Sequence, residues 1–325
     1  MKKELLMVNF VFGKEYQEYI PIYFFSLYKH YPDYDAVVYV DRKLREEIWK
    51  LIKLIPKHEE KYKIINVDKI LNKLSLHQME AYRWFLYDTI FRKYRYIYIG
   101  DIDIYICKEV IPLCEQHIRH MNSQKLVYSN IVRSYGALPQ TICKYEKILK
   151  KMKLYGLIVE IYHKFFYHKR MSGLHFVESD TYFKAIKKQR ERFFKVYYDT
   201  DIISKIYNLK MKFYSNNEAM LYHIIKKSHL NLPIQSDDTV NILMCKNMKS
   251  NNFRPHHGLH LGIWRGRKKA DSSYDKYFQT QLFQNYYAQF KDELANDTIL
   301  KEILENSPIK IKKIINAMIS DLDKR

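Results

Sequence analysis

Two acidic residues stand directly after a run of mostly apolar residues, and their spacing suits the binding of a divalent cation. Asp101 and Asp103 follow the segment 94–100 and are separated by Ile102. Side chains at positions i and i+2 of an extended chain point to the same side, so both carboxylates can face one ion. Carboxylate oxygens suit Mg²⁺ or Mn²⁺, which also bind phosphate oxygens and water. The alternative to a metal-binding pair is a D-x-D sequence that occurs by chance at a strand edge. Two uncompensated charges beside a buried strand are costly, which favours the metal-binding pair. We therefore expect a metal–nucleotide site here.

The segments before this acidic pair alternate between strand and helix patterns. Apolar runs typical of buried strands occur at 5–12, 36–40, 62–67 and 94–99. Between them, apolar residues recur at helical spacing over 16–31, 44–54 and 76–92. This order predicts an α/β fold with a mostly parallel sheet covered by helices. Ligand sites in such sheets lie beyond the carboxyl ends of the strands, where the acidic pair stands.

The chain after residue 109 is less regular. The basic, aromatic range 144–169 is predicted to be partly helical, and 174–177 a strand that leads into a helix through Lys195. Further helices are predicted at 218–227 and 274–294. Pro308 then separates a last amphipathic segment, 309–322, whose apolar face could pack on the core or lie on an anionic membrane.

The composition is that of a basic globular protein. The 325 residues are 47% hydrophobic, enough for one large α/β domain with an appended part. A net charge of +20 attracts nucleic acid, anionic lipids and nucleotide diphosphates, although an AT-rich genome would also favour this composition. The four cysteines form no C-x-x-C pair, so reduced thiols in a cytosol are expected. No stretch reaches the ~18 apolar residues of a membrane span.

The order of these motifs resembles the GT-A glycosyltransferases, and within them the family 8 type. An arginine in the helical sequence Ala-Tyr-Arg83-Trp precedes the buried strand and the D-x-D pair. Near the first strand, Phe10-Val-Phe12 is followed by Tyr16. Later come a Ser-Gly pair and a histidine- and glycine-rich segment at 254–262. The resemblance covers roughly residues 5–265. It implies a Rossmann-like, mixed, mostly parallel sheet flanked by helices, with a helical C-terminal extension.

The resemblance also implies roles for individual residues. Asp101 and Asp103 would hold Mn²⁺ or Mg²⁺ and the donor diphosphate, with His257 or His260 as a third ligand. The remaining donor contacts it implies are made by Tyr16, Arg83, Ser172, Gly173, Arg265 and Arg267. Two departures from the family pattern stand out. Met171 replaces the usual Asn before the Ser-Gly pair, and Arg265 or Arg267 stands in place of a lysine.

The residue that acts at the sugar carbon is open between three acids. An inverting enzyme needs a base for the acceptor, whereas a retaining enzyme needs a nucleophile or a group that stabilises positive charge. Asp199, Asp201 and Glu218 are the candidates. Glu218 is favoured, because it stands at a predicted helix start, where active-site rims form; an acid that merely complements the helix dipole is the alternative.

The family implies a nucleotide-sugar donor, with a UDP-sugar expected, and a glycan or lipid-linked acceptor in bacterial surface polysaccharide synthesis. We assign residues 1–270 to the catalytic domain and 271–325 to the helical extension. We expect a cytoplasmic protein, with peripheral contact with an anionic membrane if segment 309–322 lies on one, and no specific nucleic-acid partner.

Two other functional classes share some of these features. Phosphohydrolases of the haloacid dehalogenase type also place D-x-D after a buried strand. Their motif usually comes early in the chain and continues to Thr or Val, whereas Asp103 is followed by Ile104 and three strands precede it. A nucleic-acid-binding protein would account for the charge, but the basic residues are dispersed and form no known binding motif.

Overall fold

The architecture is a six-stranded sheet with helices packed on both faces. A computed structural model of the chain describes residues 2–56, 60–68, 74, 76–135, 146–154, 157, 168–198, 217–233, 257–270 and 274–325. The strands among these residues are β1 (Lys3–Val11), β2 (Asp35–Val40), β3 (Tyr62–Asn66), β4 (Tyr94–Gly100), β5 (Ile104–Ile106), β6 (Tyr128–Ser129), β7 (Val132–Tyr135), β8 (His168–Met171), β9 (His175–Glu178) and β10 (Gly258–His260). The main sheet has the order β3-β2-β1-β4-β9-β6.

Strand direction in this sheet matches the predicted fold class. Strands β1 to β4 are parallel to one another, while β9 runs antiparallel to both β4 and β6. Two small antiparallel pairs, β10 with β5 and β7 with β8, flank the main sheet. A mixed, mostly parallel sheet flanked by helices is therefore confirmed.

The helices that cover the sheet come from most of the chain. They are α1 (Ile20–His30), α2 (Glu46–Ile52), α3 (Leu76–Tyr82), α4 (Leu113–Gln124), α5 (Glu146–Lys151), α6 (Ser179–Tyr198), α7 (Asn217–Lys227), α8 (Asp275–Phe278), α9 (Gln281–Asn296), α10 (Thr298–Asn306) and α11 (Ile309–Leu322). Short 3₁₀ turns occur at Tyr16–Tyr19, Thr89–Lys93 and Leu261–Trp264.

The core has two layers, one on each face of the main sheet, because alternate side chains of the central strands point to opposite faces. In β1, Leu5 and Met7 belong to the layer that α1 and the C-terminal helices cover. Leu6 and Val8 belong to the opposite layer, which α3, α6 and α7 cover. Because side chains of a strand alternate between faces, a nearly continuous apolar run such as β1 supplies both layers.

Two predicted helices are interrupted, and a capping residue begins the element that follows each interruption. The range predicted as one helix at 76–92 contains α3, which ends at Tyr82, and then a separate 3₁₀ turn, which the side chain of Asp88 caps by accepting the N–H of Ile90 at 3.0 Å. The range 274–294 divides into α8 and α9, and the hydroxyl of Thr280 caps α9 by accepting the N–H of Phe283. Of the range 144–169, the structure describes residues 146–154, which include helix α5, residue 157 and the first two residues of β8.

The C-terminal segment packs into the core instead of presenting an apolar face. Ile311, Ile314, Ile315 and Met318 of α11 are at most 4% exposed and share a core layer with β1 and α1. The structure thus favours core packing over the membrane-surface interpretation of this segment. Among the described residues, no helix is long and apolar enough to cross a membrane. The division of the chain at residue 270 stays a prediction.

Candidate functional site

The acidic pair lies at the carboxyl end of β4, where the main sheet meets a small ribbon. Strand β4 ends at Gly100, and β5 begins at Ile104. Between them Ile102 is 3% exposed and belongs to the core, while Asp101 and Asp103 line an open cleft. The apolar side chain thus anchors the segment while its two acidic neighbours face the same space, as the i, i+2 spacing predicts.

The cleft has a volume of about 600 Å³, within the range of small-molecule sites. Its walls come from the end of β1, the first 3₁₀ turn, α3, the start of α7 and the segment after β10. Its lining residues are Phe10, Phe12, Glu15, Tyr16, Glu80, Arg83, Asp101, Ile102, Asp103, Asn217, His260, Gly262 and Arg265. Residues from five distant parts of the sequence therefore meet at one edge of the sheet.

Asp103 is held against the segment that follows β10. Its Oδ2 atom lies 3.3 Å from Nε2 of His260, and its backbone oxygen accepts the N–H of Leu261 at 2.8 Å. A Cβ atom on Gly262 would come within 2.1 Å of the same Oδ2 atom. The carboxylate therefore fills the space that a side chain at position 262 would need, which is a physical reason for glycine there.

Asp101 is held from the opposite wall by Arg83. A guanidinium nitrogen of Arg83 donates to Oδ1 of Asp101 at 3.0 Å, and another donates to the side-chain oxygen of Asn217 at 3.1 Å. The amide of Asn217 lies in turn 3.5 Å from a carboxylate oxygen of Glu80. Arg83 therefore connects the end of β4 to the first residue of α7, and one residue links three elements around the cleft.

A second arginine closes the opposite side of the cleft. The guanidinium of Arg265 lies over the ring of Tyr16, 4.9 Å from its centroid, and donates to the Tyr16 hydroxyl. Burial raises the pKa of Tyr16, and the charges of Asp103 and Asp101 add to this although the arginine opposes it. At neutral pH the phenol therefore keeps its proton and remains able to donate a hydrogen bond, while Arg265 supplies a fixed positive charge.

His257 belongs to a buried network outside the cleft. Its Nδ1 lies 2.6 Å from a carboxylate oxygen of Glu109, and its Nε2 lies 2.9 Å from Nε2 of His117. The other nitrogen of His117 is 2.8 Å from the hydroxyl of Ser129. With both ring nitrogens engaged and the residue 1% exposed, His257 has no nitrogen left for an ion in the cleft. Of the two histidines predicted as metal ligands, the structure brings only His260 to the acidic pair.

Glu218 lies beside the cleft, next to the lining residue Asn217. One of its oxygens accepts the N–H of Gly173 at 2.9 Å, and the other lies 3.3 Å from the guanidinium of Arg170. Ser172 is fully buried, and its hydroxyl donates to the oxygen of Leu174 while accepting the N–H of the same residue. The Ser-Gly pair therefore shapes the backbone that holds Glu218, and neither of its residues lines the cleft.

The remaining predicted residues either do not line the cleft or lie outside the residues that the structure describes. Arg267 is exposed and is not part of the cleft lining. Asp199 and Asp201 lie outside the described residues. Glu80, Asn217 and Gly262 also line the cleft, although none of them was among the predicted site residues. Glu80 precedes Arg83 by one helical turn, and Asn217 precedes Glu218, so their proximity to predicted residues was a usable signal.

The donor set at the acidic pair fits a divalent cation that is only partly held by protein. Two carboxylates and one imidazole suit Mn²⁺ or Mg²⁺. Within the described part of the chain, no group of three or more His, Cys, Asp or Glu side chains is arranged to hold a metal ion by itself. Such an open pair leaves coordination positions for phosphate oxygens and water, which is how Mg²⁺ is commonly bound with nucleotides.

Comparison with known proteins finds similarity to solved structures but no match to a protein-family model or a curated protein. Core-mannan synthase A (CmsA/Ktr4) from Aspergillus fumigatus, in its Mn/GDP form, is 12% identical with a TM-score of 0.40, over 69% of this chain and 70% of that one. The mannosyltransferase Ktr4p from S. cerevisiae in complex with GDP is 12% identical with a TM-score of 0.42, over 88% and 84% of the two chains. The galactosyltransferase LgtC, in complex with donor and acceptor sugar analogs, is 12% identical with a TM-score of 0.31, over 58% and 64%.

Proposed function

We propose that this chain is a metal-dependent glycosyltransferase that moves a sugar from a nucleotide-sugar donor to a glycan or lipid-linked acceptor. The observation that carries the proposal is the meeting of Asp101 and Asp103 with Arg83, Arg265 and Tyr16 around one cleft of about 600 Å³. Paired carboxylates for a cation, two guanidinium groups for phosphate and an aromatic wall form a combination suited to a nucleotide diphosphate.

Each cleft residue has a distinct task in this proposal. Asp101, Asp103 and His260 would hold Mn²⁺ or Mg²⁺, which neutralises the diphosphate as negative charge develops on it. Arg265 is placed to stabilise the same charge from the rim, and electrostatic stabilisation of this kind is usually the largest catalytic contribution. Arg83, which lines the same cleft, would place its positive charge beside the diphosphate, and through Asp101 and Asn217 it also fixes the wall against which the donor would lie.

The transfer itself exchanges one bond at the anomeric carbon. The bond from that carbon to the diphosphate oxygen breaks, a bond to the acceptor oxygen forms, and the acceptor hydroxyl loses its proton to a base. Glu218, Asp199 and Asp201 remain the candidate acids for this step. Glu218 is the one whose carboxylate is seen to be fixed, by Gly173 and Arg170, beside the cleft.

We extend the proposal to the biological setting by analogy with the family that the sequence resembles. The donor is a UDP-sugar, and the reaction belongs to the assembly of a bacterial surface polysaccharide. The enzyme acts in the cytoplasm, and because the apolar face of α11 is buried, peripheral contact with the membrane that carries a lipid-linked acceptor would be made by other surfaces.

A thermal-shift screen tests the donor site directly. The native chain is melted with UDP, GDP and their sugar conjugates, with and without Mn²⁺, beside the variant Asp101→Asn/Asp103→Asn. Ligands that bind only the folded state stabilise it by about 2.7 kcal/mol at a concentration of 100 Kd, which raises the melting temperature by several degrees. We expect a Mn²⁺-dependent shift with one nucleotide class that the double variant loses.

A matched control separates this effect from a general change in charge. Glu302→Gln/Glu305→Gln removes two negative charges from exposed positions of α10 and should keep the full shift. If native protein that is demonstrably folded shows no shift with any nucleotide, the donor-site proposal fails. If the Mn²⁺-dependent shift is found, the donor that gives the largest shift is used to identify the sugar and the acceptor by release of nucleoside diphosphate.

A further inference from the structure

A second cleft lies at the opposite end of the main sheet from the acidic pair. It has a volume of about 710 Å³ and is lined by residues from the amino ends of β1, β2, β3 and β4. Lys3 stands at the start of β1, and Phe10, near its end, lines the first cleft. At about 3.3 Å per residue, the seven steps between them place the two clefts roughly 23 Å apart. The second cleft is therefore separate from the proposed donor site.

Positive charge dominates the lining of this second cleft. Six cationic side chains line it, namely Lys2, Lys3, Lys61, Lys63, Arg92 and Lys93, against two acidic ones, and Lys2 also pairs with Asp180, outside the lining, at 2.5 Å. Like charges gathered in a concave surface repel one another and raise the local concentration of anions. The lining therefore favours an anionic ligand.

A buried carboxylate organises part of this charge. Asp35 is 5% exposed, and its Oδ2 atom accepts from the amine of Lys3 and from the hydroxyl of Tyr94, both at 2.5 Å. Lys61 lies 3.9 Å from the other oxygen of Asp35. Asp35 thereby fixes two lysines at the cleft. Among the described residues, Lys63 and Lys93 have no ion-pair partner, so their charges face the cleft uncompensated.

The chemistry of the lining narrows the ligand. Tyr94 is 5% exposed and its hydroxyl is engaged, so its ring offers no face for stacking a nucleobase. Lysine ammonium groups are compact point charges that bind phosphate oxygens, and the planar guanidinium of Arg92 suits phosphate as well. The volume suits a compact ligand and exceeds what a single phosphate needs. We propose that this cleft binds an oligophosphate anion, a compact group that carries two or more linked or neighbouring phosphates.

Calorimetric titration of tripolyphosphate, without divalent cations, tests this site. The native chain is compared with Lys63→Gln/Lys93→Gln, and with Lys187→Gln/Lys188→Gln, which removes the same charge from exposed positions of α6. Losing two charge-assisted contacts should weaken binding roughly tenfold or more in the first variant. The control should change by about twofold or less, because a distant exposed charge is screened. All four positions are exposed, so both variants are expected to fold as the native chain does.

A sedimentation assay with lipid vesicles distinguishes the two sources of such a phosphate. Binding to phosphatidylglycerol vesicles but not to tripolyphosphate, with loss in Lys63→Gln/Lys93→Gln alone, would assign the phosphates to a membrane surface. Binding to tripolyphosphate with the same loss would assign them to a soluble ligand. Equal weakening in both double variants, or no binding of either probe by the native chain, would overturn the site.

Discussion

The carboxylate of Asp321 accepts a hydrogen bond from the indole nitrogen of Trp264 at 2.9 Å, across 57 residues of sequence. The same Oδ2 atom accepts the backbone N–H of Ala270 at 2.8 Å, and Arg325 donates to the carboxylate as well. Asp321 is 4% exposed. The last helix therefore anchors both ends of the segment 264–270, which contains the cleft residue Arg265.

The first prediction follows from this anchor. Asp321→Ala leaves the N–H groups of Trp264 and Ala270 without their acceptor, so we expect a loss of about 2 kcal/mol in the free energy of unfolding. The donor KM should rise while kcat changes little, because the residue positions the rim of the cleft and does not contact the substrate. Urea denaturation measures the loss of stability, and steady-state kinetics measures KM and kcat. Asp323→Ala is the control, since Asp323 directly follows the same helix and accepts hydrogen bonds from Tyr287 and Lys291, but none from Trp264 or Ala270. Equal effects of the two variants would contradict the anchoring role.

This anchor should also weaken in acid. Burial alone would raise the pKa of Asp321, but the hydrogen bonds from Ala270, Trp264 and Arg325 outweigh it and hold the pKa below its ordinary value. A lowered pKa means that the stabilisation is present above the ordinary pKa of an aspartate, near 4, and is lost as the pH falls further. The stability difference between native and Asp321→Asn should therefore shrink below about pH 4, measured by urea unfolding at several pH values.

A second prediction concerns the contact between Gly262 and Asp103. The Cβ of Gly262→Ala would meet Oδ2 of Asp103 at 2.1 Å, so the carboxylate must turn away from His260. Because the obstacle is the end of a side chain, we expect the fold to lose only about 1 kcal/mol. The Mn²⁺-dependent nucleotide shift should fall by an amount equivalent to roughly tenfold weaker binding. Unchanged Mn²⁺-dependent binding would show that the observed orientation of Asp103 is not needed.

The third prediction is that replacing Arg83 changes the binding of the cation and the binding of the nucleotide in opposite directions. Arg83→Met removes the positive charge 3.0 Å from Asp101. We expect Mn²⁺ to bind about threefold more tightly to the protein alone, since a neighbouring cation no longer opposes it. Nucleotide binding in the presence of Mn²⁺ should weaken, because a phosphate contact and the link to Asn217 are both lost. Calorimetry measures the two affinities separately. Arg119→Met, which breaks an exposed pair with Glu115, should change neither.

The fourth prediction is a loss of stability in mildly acidic solution caused by buried histidines. Burial lowers the pKa of His175 to about 3, and burial with neighbouring histidines lowers that of His117 well below its ordinary value. A histidine kept neutral in the fold but protonated in the unfolded chain costs stability as the pH falls below about 6.5, by about 1.4 kcal/mol per pH unit for each residue. Urea unfolding at pH 7.5 and pH 5.0 should show this loss. His175→Gln should reduce the difference in the free energy of unfolding between pH 7.5 and pH 5.0. An unaltered difference would rule out His175 as a source of the loss.

Local sequence patterns predicted much of the fold, because apolar runs and helical spacing are properties of short segments that can be read from the sequence. The apolar runs of β1 to β4 and the helical spacing of α1, α6, α7 and α11 all gave elements that the structure contains. The interruptions before Asp88 and Thr280 were missed, because the apolar periodicity continues across them, while each of these side chains caps the start of a new element.

For the site, the sequence by itself determined which two residues form the acidic pair and that both carboxylates point to the same side. The i, i+2 spacing of Asp101 and Asp103 fixes this direction, because it is a local property of an extended chain. Only the tertiary structure decided which distant residues meet them. Whether β10 presents His257 or His260 to the cleft depends on the register with which it pairs β5, and that register sets Gly258 opposite Ile106 and His260 opposite Ile104. In a strand, such a choice of register sends alternate side chains to opposite faces. For the same reason the bridge from Asp101 through Arg83 to Asn217, and the anchor from Trp264 to Asp321, depend on packing between elements far apart in the chain, which no local pattern encodes.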